Sequence, residues 1–244
     1  MTFLFTLLKP KNMMLLGAQL RPWIGFITLL CFCIGIYGAL FVIPADYQQG
    51  ELVRILYVHV PASWGALFLY VWIGIFSALG LITRMPQFFI MARSIAPIGL
   101  VYCLLSLITG SIWGKPTWGA FWVWDARLTS ELILLFLYGA ILAVSNAYQH
   151  QDQRDRLVAI LTLVGLVDLP IIHYSVYWWN TLHQGATFLT LAKPKIHISM
   201  AYPLIFTLLG FSFYCILMVL KNARNDLLLR ERLQSWVKDK VASR

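Results

Sequence analysis

Four of the ten tryptophans fall within twelve residues, as Trp113, Trp118, Trp122 and Trp124. They share the run Trp113–Arg127 with Gly114, Gly119, Asp125 and Arg127. A belt of aromatic residues at a membrane surface accounts for one or two tryptophans at the end of a span. It does not account for glycines at fixed offsets, nor for an Asp and an Arg in the same run. Glycine permits tight backbone turns, so the indoles can lie flat as a platform for a planar, apolar ligand, with stacking added to contact area. Histidines supply metal chemistry. His59 lies in Tyr57-Val58-His59-Val60-Pro61 and His183 in Trp178-Trp179-Asn180-Thr181-Leu182-His183-Gln184-Gly185. Neutral imidazole is a good iron ligand, and two on opposite sides of one metal bring their ring nitrogens within about 4 Å. A lone histidine at a membrane edge is more simply a hydrogen-bonded interface residue; here two flank one aromatic run on the same side.

Charged groups near that run have two readings each. Arg127, Lys115 and Arg54 are the basic residues placed to meet a carboxylate, arginine best of all through its bidentate fork. Arg127 could equally pair with Asp125 or Glu131. Asp125, while ionised, does not attract a ligand carboxylate, and its expected role is to orient backbone amides or Arg127. Asp168, inside an apolar stretch, is either a functional group or the partner of a Tyr, His or Arg on a neighbouring helix. His173 follows it by five residues. His197 either bonds near the site or faces water, and His150, beside Asp152 and Arg154, reads as solvated.

The elements that position these residues follow from composition. The 244 residues are 60% hydrophobic and 12% charged, against about 25% charged in soluble domains. That excludes a water-soluble globule, a disordered chain and a collagen-like repeat. Cys31, Cys33, Cys103 and Cys215 form no C-x-x-C spacing, so neither a redox pair nor a covalent haem attachment is indicated. Six stretches approach the roughly 20 apolar residues of a spanning helix: Trp23–Ile43, Val53–Ile82, Ile95–Ile112, Leu128–Ala147, Leu157–Val176 and Met200–Leu220. Pro61 suggests a helix start nearby, and Thr129-Ser130-Glu131 suggests the opening turn of the fourth span. The expected fold is an all-α membrane protein, one six-helix domain over residues 1–244. Residues 1–22 form an interfacial N-terminal segment and residues 221–244 a basic tail. Fourteen of the 19 Lys and Arg fall on the side that holds both termini. The positive-inside rule therefore puts the termini in the cytoplasm and the Trp-rich loop between helices 3 and 4 in the periplasm. The net charge is +9, and seven of the 19 Lys and Arg lie in the tail, which suits anionic lipid and not nucleic acid.

Trp113, Gly114, Trp118, Gly119, Trp122, Trp124, Asp125, Arg127 and Thr129 resemble, in order, the WWD signature of the haem-handling proteins of cytochrome c maturation. The likeness extends to Pro44-Ala45-Asp46-Tyr47-Gln48-Gln49-Gly50 and Leu169-Pro170-Ile171-Ile172-His173-Tyr174-Ser175. Six spans and this length are similar to the smallest branch of that family, the CcmC type. The resemblance implies one haem b, bis-His ligated by His59 and His183 against the Trp-rich run, its propionates near Arg127. It implies binding at the periplasmic face of a bacterial inner membrane and delivery to a CcmE-like, membrane-anchored haem chaperone. A CcmD-like single-span helper and CcmA/CcmB-like ABC transporter subunits are the further partners implied. No G-x-x-x-x-G-K-[ST] occurs, so nucleotide chemistry falls to a partner. The alternatives are a membrane b-type cytochrome in quinone-linked electron transfer, with His pairs deep in the hydrocarbon, and a transmembrane haem exporter with a polar interior path.

Overall fold

The computed structural model describes residues 9–183 and 197–242, which form helices and turns. The elements are α1 (Pro10–Tyr37), continued by a π-helical turn (Gly38–Val42), a 3-10 turn (Glu51–Ile55), α2 (Leu56–Thr83), α3 (Pro86–Trp118) and α4 (Ala126–Ala147). They continue with α5 (Gln151–Gly165), α6 (Asp168–Trp178), α7 (Ile198–Arg230) and α8 (Ser235–Ala242). Among the described residues six stretches are long and apolar enough to cross a membrane, as expected, with α5 and α6 together making the fifth.

Several boundaries differ from the sequence reading. α1 begins at Pro10, a first-turn position that suits proline's fixed φ. Residues 10–22 are thus continuous with the first span, while residues 1–8 lie outside the described residues. Pro61 is not at a helix start; it lies inside α2, whose first turn is preceded by the 3-10 turn. α4 begins at Ala126, capped by Asp125 and not by the Thr129-Ser130 pair. The fifth span breaks between Gly165 and Asp168, where the Leu166 and Val167 amides form 3-10 bonds to Leu163 and Val164, tightening the last turn of α5. Pro170 then sits in the first turn of α6, where its missing N–H costs nothing. Lys221, Arg224 and Arg230 of the basic tail are helical, because α7 continues to Arg230.

α2 and α3 form the centre, with α1 against α7 and α4 against α3 and α6. In hydrocarbon each buried hydroxyl needs a protein partner. Tyr138 donates to the Ala66 carbonyl at 2.7 Å, Tyr102 to Phe211 at 2.6 Å and Tyr57 to Met200 at 3.2 Å. These bonds tie α4 to α2, α3 to α7 and α2 to α7.

At the end opposite the Trp-rich run, ion pairs join three helices. Arg93 of α3 donates to Asp155 of α5 and, at 3.1 Å, to Asp226 of α7. Arg230 of α7 completes the group on Asp155 at 2.6 Å. Asp155 is only 2% exposed, and its charge is met by these two arginines and, at 3.7 Å, by Arg154. Removing one partner of a buried pair strands the other, at a cost of about 3–5 kcal/mol. Asp155→Ala is therefore expected to destabilise the solubilised protein by about that amount in chemical unfolding. Asp152→Ala, which removes an exposed partner of Arg230, should leave the unfolding midpoint unchanged.

Candidate functional site

α3 runs on to Trp118, further than the sequence windows suggested. Trp113 and Trp118 therefore stand on its last turns, and only Trp122 and Trp124 belong to the connecting loop. Gly119 ends the helix in the left-handed region, φ 81°, with its N–H on the Lys115 carbonyl at 3.0 Å. Glycine is the residue that adopts this conformation without strain. Gly114 makes no turn. It is helical and buried, and a Cβ there would come within 2.9 Å of the Trp118 ring. The four indoles are not one flat platform: Trp122 and Trp124 meet edge to face at 77°, and Trp124 is 76% exposed.

Instead, two of the indoles brace the two imidazoles. Trp113 lies edge-on to His59, ring centroids 5.8 Å apart, and Trp118 edge-on to His183 at 4.7 Å. Trp113 is itself fixed by its N–H donating to Gln49 Oε1 at 2.7 Å. Gln49 is presented by the turn Pro44–Gly50, in which Asp46 Oδ1 accepts from the amides of Gln48 and Gln49, an Asx turn. The sequence offered no sign that this turn holds a tryptophan.

His59, on the first turn of α2, faces Ser106, Thr109 and Gly110 of α3. Its Nδ1 lies 3.1 Å from the Ser106 carbonyl and 3.1 Å from Thr109 Oγ1. The Thr109 hydroxyl proton is committed to the Leu105 carbonyl at 2.6 Å, so both neighbours of Nδ1 are acceptors. Nδ1 must carry the proton, and the lone pair of the neutral ring lies on Nε2, where a metal would bind. Gly110 lets the ring approach, since a Cβ there would meet Cε1 at 2.9 Å.

His183 follows α6 and is half-buried. Its Nδ1 is 3.6 Å from Asp125 Oδ2, too long for a hydrogen bond, and both atoms are buried without a hydrogen-bond partner among the described residues. A small closure makes the contact an Nδ1–H···Oδ2 bond and again leaves Nε2 for a metal, the usual support of a ligating histidine. Asp125 Oδ1 meanwhile accepts from the Leu128 amide at 2.8 Å. One carboxylate thus caps α4 and faces His183. The expectation that Asp125 orients backbone amides holds; its contact with His183 was not foreseen. Arg127 forms its hydrogen bond with the Ile172 carbonyl at 3.4 Å, and His59 and His183 lie within electrostatic range of it and of each other. Trp122 Nε1 is another buried donor with no partner among the described residues.

The remaining candidates are placed elsewhere or already engaged. Arg54 pairs with Glu51 and donates to the Ala39 carbonyl and, at 3.5 Å, to Ile43, satisfying carbonyls at the end of the first span. Lys115 donates to the Gly119 carbonyl and lies over the Phe121 ring. Asp168, 7% exposed, starts α6 with Oδ2 unpartnered among the described residues; Tyr70, a tyrosine in its electrostatic range, has a hydroxyl equally unpartnered among them. His173 is exposed against Tyr174. His197 caps α7 through the Ser199 amide, and His150 is exposed. An apolar groove of about 610 Å³ lies along Pro61, Trp64, Gly65 and Phe68. Those residues are turned about 140–240° around α2 from His59, so the groove is no part of the imidazole cluster.

Burial lowers the proton affinity of His183, Arg127 adds to that, and Asp125 opposes it. The packed imidazole then resists the proton that the released one accepts, so packing weakens as pH falls below the ordinary histidine value of 6.5. Arg127→Gln is expected to make the unfolding midpoint less sensitive to acid through this range, and Asp125→Asn more sensitive. Asparagine caps a helix as well as aspartate, so Asp125→Asn should preserve α4. Thermal unfolding at successive pH values checks both signs.

The family model described as "Heme exporter protein C" matches residues 3–238. Proteins named "Heme exporter protein C" from Haemophilus influenzae and Escherichia coli K12 are similar to this chain. The first is 44% identical over 230 residues, covering 94% of each chain. The second is 42% identical over 224 residues, covering 91% of this chain and 90% of the relative. That of Bradyrhizobium diazoefficiens is 39% identical over 232 residues, covering 95% of this chain and 88% of the relative. With a likeness that runs through both imidazole-bearing segments and nearly the whole helical bundle, the chain belongs to the Heme exporter protein C family.

Proposed function

We propose that this multi-pass membrane protein binds haem b between His59 and His183 and hands it to a periplasmic, membrane-anchored haem chaperone of the CcmE kind. The observation that carries the reading is the pair of imidazoles within range of one arginine, each with Nδ1 turned to an acceptor of this chain. Haem iron takes two axial ligands, so two such rings suffice. The unpartnered Trp122 N–H and the unused donors of Arg127 suit the polar edge of a porphyrin, and Trp113, Trp118, Trp122 and Trp124 its apolar faces and rim. Gly114 and Gly119 serve by close packing and by turning the chain.

In this reading the protein's own groups divide the work. Ser106, Thr109 and Asp125 keep the proton on each Nδ1, Arg127 receives the propionates, and Trp113 and Trp118 hold the rings. The exposed Trp124 and Phe121 leave a rim for a partner, so that the loop 119–125 and the His183 segment form the chaperone's docking surface. The site then faces the periplasm of a bacterial inner membrane, with the termini in the cytoplasm and the chain one domain. A CcmD-like helper and CcmA/CcmB-like transporter subunits complete the assembly.

His59→Ala and His183→Ala are each expected to lower haem retention, with partial recovery in free imidazole. Wild-type haem content and an unchanged Soret band in both variants would contradict the ligand assignment. Trp118→Ala should impair haem binding more than Trp23→Ala, since Trp23 is exposed on α1; circular dichroism establishes that both variants fold. Arg127→Glu should reduce covalently loaded chaperone by more than it reduces haem content. Loss of loading only in proportion to haem would assign Arg127 to retention alone.

A further inference from the structure

α2 and α7 leave between them the apolar groove of about 610 Å³, floored by α3. Its α2 wall is a ladder of rings four residues apart, Trp64, Phe68, Trp72 and Phe76. Phe68 meets Trp72 edge to face with centroids 6.0 Å apart, and Trp72 meets Phe76 at 5.7 Å. On the two lips Phe68 is 61% and Ile216 45% exposed, so the groove opens toward the hydrocarbon. The polar groups in its lining are already used. The Tyr102 hydroxyl donates to the Phe211 carbonyl and the Ser212 hydroxyl to the Leu208 carbonyl of its own helix. Among the described residues no Asp, Glu, Lys or Arg lines it. From Pro61 to Phe76 it follows α2 for about 22 Å, and over that length it suits an apolar chain.

At the end away from Pro61 the surroundings change. Met91 and Leu220 line both the groove and a second, small cleft between α1 and α7. That cleft lies at the end of the bundle that holds Pro10 and Arg230, and Arg21 and Arg224 line it. Arg21 spends one of its five donors, Nε–H, on the Gly17 carbonyl at 3.2 Å. Trp23, two residues further along α1 and 70% exposed, suits the headgroup level of a bilayer. Two arginines at that level, and an apolar groove leading from them into the hydrocarbon, match the two halves of an anionic lipid. A partner's spanning helix fits less well. It needs about 30 Å of hydrocarbon, and spanning helices carry an excess of Lys and Arg at the cytoplasmic flank, the sign that two arginines repel.

We propose that the groove and the Arg21–Arg224 cleft together bind one anionic glycerophospholipid, its phosphate at the arginines and an acyl chain laid along the aromatic ladder. The proposal is independent of how haem is held. Titration of the purified, detergent-solubilised full chain with phosphatidylglycerol carrying a brominated acyl chain tests it, because bromine quenches tryptophan at short range and Trp64 and Trp72 line the groove. Quenching is expected to saturate, with about thirtyfold preference over phosphatidylcholine of the same chains, roughly fivefold from each arginine. The double variant Arg21→Gln, Arg224→Gln should lose that preference and keep its circular dichroism. Arg21→Gln alone should lose about fivefold, and it decides the matter should the double variant not fold. Replacing Trp64 and Trp72 by Phe should remove the saturable quenching, while phosphatidylglycerol still raises the midpoint of thermal unfolding. Ser212→Phe puts a ring into the groove from an exposed position and should weaken binding of both lipids. Equal affinity for the two lipids, a preference that survives without the arginines, or saturable quenching that survives without Trp64 and Trp72 would each overturn the proposal. So would inorganic phosphate alone raising the unfolding midpoint as far as the lipid does, which describes a free-anion site. A dimer of the chain that Ser212→Phe dissociates would give the groove to a second copy instead.

Discussion

The bond from His59 Nδ1 to the Ser106 carbonyl is the interaction on which the candidate site depends. A carbonyl inside a helix is ordinarily committed to its own ladder, and its second lone pair is available only to a donor that approaches closely. Gly110, one turn further along α3, opens that approach. Thr109, whose hydroxyl proton is committed elsewhere, adds a second acceptor. Two helices that form the most extensive pair in the bundle thus define which nitrogen of an imidazole carries its proton. The chemistry is set by helix packing, because without water in the hydrocarbon every hydrogen bond must be found within the protein.

Both ends of the bundle bury polar groups, and at both some of these make no bond within the described residues. Arg93, Asp155, Asp226 and Arg230 satisfy one another, and the helices they join are held in register. Near the imidazoles, Trp122 Nε1, Asp125 Oδ2 and His183 Nδ1 are buried without partners among the described residues. Each such group costs about 1–3 kcal/mol relative to a bonded one. That cost is recovered if a ligand or a small closure of the His183 segment supplies the missing bonds.

Much of this was legible in sequence, for reasons that can be stated. Six apolar stretches are visible because hydrocarbon thickness sets a minimum length for a helix whose backbone must bond to itself. The ends were not legible, because a helix continues past its apolar stretch: α3 to Trp118, α7 to Arg230. The aromatic run and the histidines stood out by type, yet the inferred flat platform was mistaken. Indole orientation is set by contacts distant in sequence, such as Gln49 holding Trp113 across 64 positions. The same distance hid Ser106 and Thr109, ordinary hydroxyl residues in an apolar helix. Asp125 was read as orienting amides, which capping confirms, but its contact with His183 spans 58 residues and left no pattern.

The two imidazoles are not equivalent, and the difference bears on a protein that must first hold and then yield its cargo. His59 stands on a helix, its ring clamped by two acceptors and a tryptophan edge. His183 lies beyond the end of α6, with one acceptor at 3.6 Å and Trp118 beside it. Moving His59 requires separating α2 from α3 and breaking a satisfied bond. Moving His183 gives up a contact not yet closed, and Arg127 already disfavours its protonated form. On the proposed reading, His59 retains the haem and His183 governs its departure. A partner docking on the rim beside Trp124 would then need to displace only the ligand that the bundle holds least.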